Sequence, residues 1–534
     1  MQTLATAEPA APPVTRPDAP PAPVRRVLTW LGVQSVWLIP ALLTALVVGY
    51  RAASPQPWRD EFATWTAARR PVSEIVALGQ TIDGVTVPYY IVAHAFTVLF
   101  GDSILALRLP SMIAAVATAV ACSLLALRLW GTKAGMLTGL LVAVMPAISR
   151  YGQEARGYAL AACFAAVATL LLVRALESGR WWRWAGYGMS VAALGLSHQI
   201  AILLLSGHLV AVAVMNRRRL PVWVLSVLPG VAALVPWSLL GLDQRDDQLV
   251  WLTPVDGVTL AAFPGSIFIN PIIAGAVIGL AAATLGRYDR WSVLLVLSVL
   301  LPVALLYAVD HLIAPIFIGR YLYFTVPLLL VLAGRALSLA RHPAGLAVVV
   351  LLAAIGLPAQ QSVRRAHSNF DYARAAELIR AGAQPGDAIV YAPRDGWQFT
   401  DVAMEYHLGD DRPNDILQTA SPEQNRSLWS VECESAAQCL TADRVWTLSA
   451  DNLETGRAAG PVDQLSFGVQ AVLTSSYDRI QQIRIDGFTL CLFVREPTPV
   501  PLLPGQKRPK PVPEEPTSAW KHYGPGAAQS ATVR

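Results

Sequence analysis

The stretch "PYYIVAHAFTVLFG", Pro88 to Gly101, decides how the chain is threaded. It is apolar throughout, and if it crosses a membrane every later loop changes sides. A spanning helix needs about 20 apolar residues, and this run offers about 13. Counting it would also put "NRRRL", Asn216 to Leu220, on the opposite face from where it otherwise falls. Tyr89 and Tyr90 suit the headgroup level. The stretch therefore reads as a helix lying in or near the membrane interface.

Outward from it, apolar runs recur near 30–50, 106–128, 134–149, 158–176, 184–198, 200–215, 221–241, 267–285, 291–309, 321–340 and 343–360, about eleven spans in all. The 534 residues are 54% hydrophobic and 14% charged. Soluble domains carry roughly a quarter charged residues, so the composition is that of a polytopic membrane protein. Arg128 with Lys133, Arg174 with Arg180 and Arg183, Arg217–Arg219, Arg287 with Arg290, and Arg335 with Arg341 alternate with loops whose arginines sit beside acids. The positive-inside rule then puts the N-terminus in the cytoplasm and residues after about 360 outside. A net charge of +5, spread over loop arginines, forms no basic stripe and argues against a nucleic-acid partner.

Residues 1–29 are Ala/Pro-rich and read as a disordered cytoplasmic arm. The run that follows is too long for a signal-peptide core and has no small-residue cleavage site. Residues 30–360 form the membrane domain, with a long first outer loop over about 51–105. Residues 361–497 read as an extracytoplasmic α/β domain: "NFDYARAAELIRAGAQPGDAIVYAP" gives a helix, a turn and a strand, "RVWTLSA" another strand, and "IQQIRIDGFTLCLFV" a hairpin closed at Asp486-Gly487. Residues 498–534 are Pro-rich and read as a disordered tail. Of the five cysteines, Cys433 and Cys439 in "CESAAQC" lie in this outer domain and are expected to pair there.

The charged residues that a membrane protein retains are its functional candidates. "WRDEFATW" sets Asp60 and Glu61 between Trp58 and Trp65 just past the first span. An acidic pair can simply favour a helix start, but this one opens a long outer loop with Asp83, Tyr89, Tyr90 and His94. "SRYGQEARGYAL" carries Arg150 and Glu154 at i,i+4, with Gln153 and Arg156 on another face. It reads either as a salt-bridged cap or as a polar rim reaching a ligand. Arg320 in "IGRYLYF" is an interface anchor or a bidentate phosphate contact, and His198 in "LSHQ" ends a span. All map to the outer face under a topology derived without them. Acids able to take a proton and arginines able to hold phosphate suggest transfer chemistry on a lipid-borne phosphate. No Gly-rich phosphate loop with Lys, zincin pattern or zinc-spaced Cys pair is present in the membrane part, so no metal or cofactor is implied.

The Asp-Glu pair after the first span, then "TVPYYIVAHAFTVLFGDSILALRLPS" and "RYGQEARGYAL", resemble the GT-C glycosyltransferases, in the branch of protein O-mannosyltransferases and lipid A aminoarabinose transferases. The resemblance covers roughly residues 30–330. It implies a membrane enzyme that moves a sugar, mannose being the family's suggestion, from a polyprenyl-phosphate donor to an envelope glycan, lipid or protein, with inversion. Asp60 would be the catalytic base and Glu61 would position the acceptor. Gln153, Glu154, Arg156, Tyr158 and Arg320 would face the donor. Trp58, Tyr89 and His198 are candidates for the acceptor or sugar pocket. A lipid-linked saccharide transporter would use the same arginines but would not need a basic Asp60; the lack of an evident internal repeat counts against it. A non-catalytic scaffold binding envelope polymer would not depend on a donor lipid.

Overall fold

The computed structural model describes residues 22–249, 252–284, 286, 289–341, 343–394, 397–452 and 456–495. Most of the expected arm (residues 1–21) and the whole of the expected tail (498–534) lie outside the described residues. The first helix begins at Ala22, earlier than the span expected from residue 30.

Between the long helices α1 (Ala22–Gly49) and α5 (Ile104–Trp130) run three short ones: α2 (Arg59–Ala68), α3 (Val72–Thr81) and α4 (Val87–Phe100). The apolar α4 has 14 residues, too short to count as a span. Next, α6 (Thr132–Val144) and α7 (Pro146–Gly152) meet at a 61° bend, where Pro146 cannot donate a helix hydrogen bond. The chain continues through α8 (Tyr158–Ser178), α9 (Trp181–Ser197), α10 (Leu204–Asn216), α11 (Leu220–Asp243) and the single turn α12 (Arg245–Gln248). Then α13 (Gly257–Phe268) turns 95° into α14 (Pro271–Ala283). The helices α15 (Arg290–Leu312), α16 (Val326–Leu339) and α17 (Ala344–Val363) complete the bundle, with a 3₁₀ stretch, Gly319–Thr325, leading into α16.

The protein is thus multi-pass. Among the described residues, seven helical runs are long and apolar enough to cross a membrane, or nine if each bent pair is one span. The expected eleven is not reached by that measure, for two reasons. Trp181–Ser197 has 17 residues, and Gln199–Asp243 forms one run of 45 where two spans were expected.

The basic loops gather at one end of the bundle. Arg128 at the end of α5 pairs with Glu177 at the end of α8 (2.7 Å), Lys133 donates to the carbonyl of Ala340 after α16, and Arg335 pairs with Asp289 (2.8 Å).

The C-terminal part is a mixed α/β domain built from α18 (Tyr372–Gly382), β1 (Ala388–Ala392), α19 (Thr400–Leu408), β2 (Asn414–Asp415), β3 (Gln418–Ala420), β4 (Val431–Glu432), α20 (Ala436–Cys439), β5 (Arg444–Ala450), α21 (Phe467–Ser476), β6 (Tyr477–Ile485) and β7 (Phe488–Arg495). Its five-stranded sheet has the order β2-β1-β5-β7-β6; the first three strands are parallel and the rest antiparallel. The β1 segment "AIVYA" is buried along its whole length, as a parallel strand covered on both faces should be. The β6–β7 hairpin closes at Asp486-Gly487, where Gly487 takes a φ of +83°. Cys433 and Cys439 are joined by a disulfide, with Cα atoms 6.6 Å apart.

This domain packs on the first loop. Phe62 of α2 meets Tyr372 of α18 edge to face at 5.0 Å, and Trp65 meets Tyr406 of α19 at 5.4 Å, in one continuous apolar cluster. Arg69 pairs with Glu405 at 2.9 Å and Arg70 donates to the carbonyl of Ser427 at 2.7 Å.

Candidate active site

The site begins at the N-terminus of α2, which carries Asp60 and Glu61 in its first turn, where the helix dipole favours carboxylates. Consecutive helical residues diverge by about 100°, so the two side chains part company. Glu61 points inward and is fully buried. Arg108 of α5 grips it through two parallel bonds, Nε to Oε1 at 2.8 Å and Nη2 to Oε2 at 2.6 Å. The backbone N–H of Ala155 donates to Oε1 at 2.8 Å. Burial alone would raise the Glu61 carboxyl, but Arg108 holds it well below the usual carboxylate range. His367, just past α17, stands 3.8 Å away and is neutral, because burial and nearby guanidinium groups push it down to about 3. Through these bonds Glu61, expected to position an acceptor, joins α2, α5 and the α7–α8 break.

Asp60 faces the other way, with a side chain 14% exposed. Its carboxylate lies 3.6 Å from Arg59 Nε and 3.9 Å from Arg320 Nη2, and accepts no side-chain hydrogen bond within 3.5 Å among the described residues. Beside it, the indole of Trp58 draws three guanidinium groups. Arg150 lies 5.4 Å, Arg320 5.9 Å and Arg59 6.0 Å from its ring centre, all within cation–π range. Arg320 is also held by the Tyr158 hydroxyl, which accepts from its Nε at 3.0 Å.

Arg156 completes the rim from the break before α8. Its Nη1 lies 3.4 Å from the Tyr90 hydroxyl and 3.9 Å from Asp83. Asp83 is fixed in turn by Thr86 at 2.7 Å and by Tyr90, and adopts a φ of +55°, an uncommon conformation for a residue other than glycine. Gly157 lets this corner approach α9: a Cβ there would stand 2.0 Å from the Ser197 carbonyl oxygen. His198 follows that carbonyl, its ring against Tyr158 (5.2 Å) and Tyr321 (4.9 Å), with no partner for its buried Nδ1 among the described residues.

Trp58, Asp60, Arg156, Tyr158, His198 and Arg320 are thus brought together. Other expected residues are not at the rim surface. Gln153 is buried and donates to the carbonyls of Val48 (2.6 Å) and Tyr50 (3.1 Å), stapling the α7–α8 break to the end of α1. Tyr89 lies buried in the apolar cluster formed around α2 and α4. Glu154 is buried behind the rim and pairs with Arg150 at 2.5 Å. Its pKa nonetheless rises to about 7, because burial, with Glu61 and Asp60 nearby, outweighs the Arg150 contact. Four guanidinium groups, those of Arg59, Arg150, Arg156 and Arg320, therefore surround Asp60, Asp83 and a carboxyl that keeps its proton to near neutrality. That balance suits an anion.

Two residues outside the expected set matter here. Arg108 was visible as an arginine inside an apolar run, "LALRLPS", which is a signal in itself. Nothing in the sequence marked His367. Among the described residues no three His, Cys, Asp or Glu side chains form a group able to hold one metal ion.

Comparison with known proteins bears on the fold of this bundle. Residues 86–240 match the family model described as dolichyl-phosphate-mannose-protein mannosyltransferase. The crystal structure of ArnT from Cupriavidus metallidurans in the apo state superposes with a TM-score of 0.56 at 13% identity, covering 85% of this chain and 97% of that one. The same protein bound to undecaprenyl phosphate gives 0.54 at 13% identity, covering 86% and 98%. No curated protein matches the chain in sequence. The chain therefore has the GT-C fold, and within it resembles the branch that holds the protein O-mannosyltransferases and ArnT.

Proposed function

We propose that the protein is a membrane glycosyltransferase that moves a sugar from a polyprenyl-phosphate donor to a hydroxyl of a cell-envelope acceptor. The observation that carries this reading is the juxtaposition of Asp60, which accepts no side-chain hydrogen bond among the described residues, with the Trp58-centred cluster of Arg59, Arg150 and Arg320. In the reaction, Asp60 takes the acceptor hydroxyl proton as that oxygen attacks the sugar's anomeric carbon. The bond from that carbon to the phosphate oxygen breaks, and polyprenyl phosphate leaves with the electron pair. Arg320 and Arg156 stabilise the charge gained by the leaving group. A single displacement of this kind inverts the anomeric centre. In this reading guanidinium groups, rather than a metal ion, meet the phosphate.

The likeness to an ArnT structure holding undecaprenyl phosphate supports a lipid-borne donor. The positive-inside pattern supports placing the rim and residues 361–497 outside the cytoplasm, with the N-terminus inside. Membranes containing the protein should transfer label from polyprenyl-phosphate mannose, or from a pentose donor, to an endogenous acceptor. Failure to consume any labelled polyprenyl-phosphate sugar would overturn the reading and favour transport or scaffolding.

A further inference from the structure

The C-terminal domain contains a cavity that the transfer reaction does not use. Its volume is about 400 Å³, within the usual range for small-molecule sites. Its position follows from the topology. Strand β1 lies between β2 and β5, all three parallel. The chain leaves β1 through α19 to β2 on one side, then returns through β3, β4 and α20 to β5 on the other. The crevice beyond the carboxyl ends of β1 and β5 is a topological switch point, where sheets of this kind bind ligands. The lining comes from those ends and their neighbours: Tyr391 in the last residues of β1 and Arg394 after it, Leu417 after β2, Glu432 of β4, and Gln464 with Ser466 after β5.

The chemistry narrows the ligand. Arg394 is almost fully buried, and its N–H groups already serve carboxylates. Nε donates to Glu432 at 2.6 Å, Nη1 and Nη2 donate to Asp415 at 2.6 and 2.5 Å, and Asp401 lies 3.5 Å away. A phosphate or uronate would have to displace one of those partners and would meet the others' charge, so an anion is disfavoured. What remains on offer is the partly exposed Glu432, the side-chain carbonyl of Gln464, whose amide N–H already serves the Ala450 carbonyl, and the hydroxyl hydrogen of Ser466, whose oxygen caps α21. Leu417 adds an apolar surface. Tyr391 is 2% exposed, and its hydroxyl has no hydrogen-bond partner among the described residues. Acceptors, small polar groups and an apolar wall suit a ligand with many hydroxyls and no charge.

We propose that this crevice is a second binding site, for a neutral saccharide, separate from the rim around Asp60. The site does not rest on the transferase reading, and binding to it needs no donor lipid. The test uses the full chain in lipid nanodiscs, free of sugar-headed detergent. Saturation-transfer NMR is run with neutral mono- and disaccharides, with glucuronate and inorganic phosphate as comparators. Neutral saccharides should bind. Val469→Trp, which fills the cavity, should abolish that binding, and Tyr391→Phe should weaken it about two- to tenfold, the worth of one hydrogen bond. Asp60→Asn should leave it unchanged. The proposal is overturned if only glucuronate or phosphate binds, if no neutral saccharide binds, or if neither Tyr391→Phe nor Val469→Trp alters binding. Because Tyr391→Phe removes one oxygen, its result stands even if the tryptophan variant misfolds.

Discussion

Arg108→Leu tests whether the carboxylate pair is mounted as described. The change removes four hydrogen bonds at once: two to Glu61 and those to the carbonyls of Ala52 (2.7 Å) and Pro55 (3.1 Å). Glu61 would then be a buried carboxylate with only the Ala155 N–H and a neutral histidine beside it. Breaking a buried ion pair on one side costs about 3–5 kcal/mol. At about 1.4 kcal/mol per factor of ten, local opening of α2 should rise roughly 10²- to several times 10³-fold. Hydrogen exchange of the 59–68 segment in nanodiscs, read by mass spectrometry, measures this directly. Turnover should fall as well, although Arg108 is buried away from the rim. The double variant Arg108→Leu/Glu61→Leu should recover much of the protection, since an uncharged pair leaves no stranded charge. Unchanged exchange at α2 in the folded single variant would refute the mounting.

Glu154 gives a pH test: its folded-state pKa is raised to about 7, so its stabilising contribution is full below the ordinary carboxyl value and is lost as pH rises through 7. Ionisation also adds negative charge behind the rim, so the donor Michaelis constant should rise across the same window and Glu154→Gln should flatten that rise; an identical profile in the variant would discard the assignment. Arg320→Lys and Arg156→Lys should each weaken donor use, because lysine lacks the planar two-point contact; unchanged donor kinetics in both would remove their phosphate role. For topology, an Arg217→Cys variant should resist impermeant thiol reagents added to intact cells, and labelling from outside would reverse the threading.

Hydropathy and loop charge made the membrane architecture readable, since the bilayer demands long apolar runs and sorts arginines by side. The α/β domain was legible where strands were long, as in "RVWTLSA" and the 477–495 hairpin, and not where β2 and β4 are two residues each. At the site, sequence adjacency misled. Asp60 and Glu61 look like one functional unit, yet the helical turn between them sends one to the rim and the other to the interior. The Arg150–Glu154 pair was visible at i,i+4, but its stacking on Trp58 depends on packing between segments about 90 residues apart in sequence. The partners of Gln153 were hidden for a similar reason: the carbonyls it satisfies belong to the end of α1.

The central claim is that Asp60 is the base. The direct measurement is single-turnover transfer by purified Asp60→Asn enzyme, with donor affinity measured in parallel on the same sample. Asparagine keeps the size of the side chain but cannot accept the proton, so the rate should fall by roughly 10²- to 10⁴-fold while the donor still binds. A folded Asp60→Asn enzyme with near-normal turnover would contradict the account.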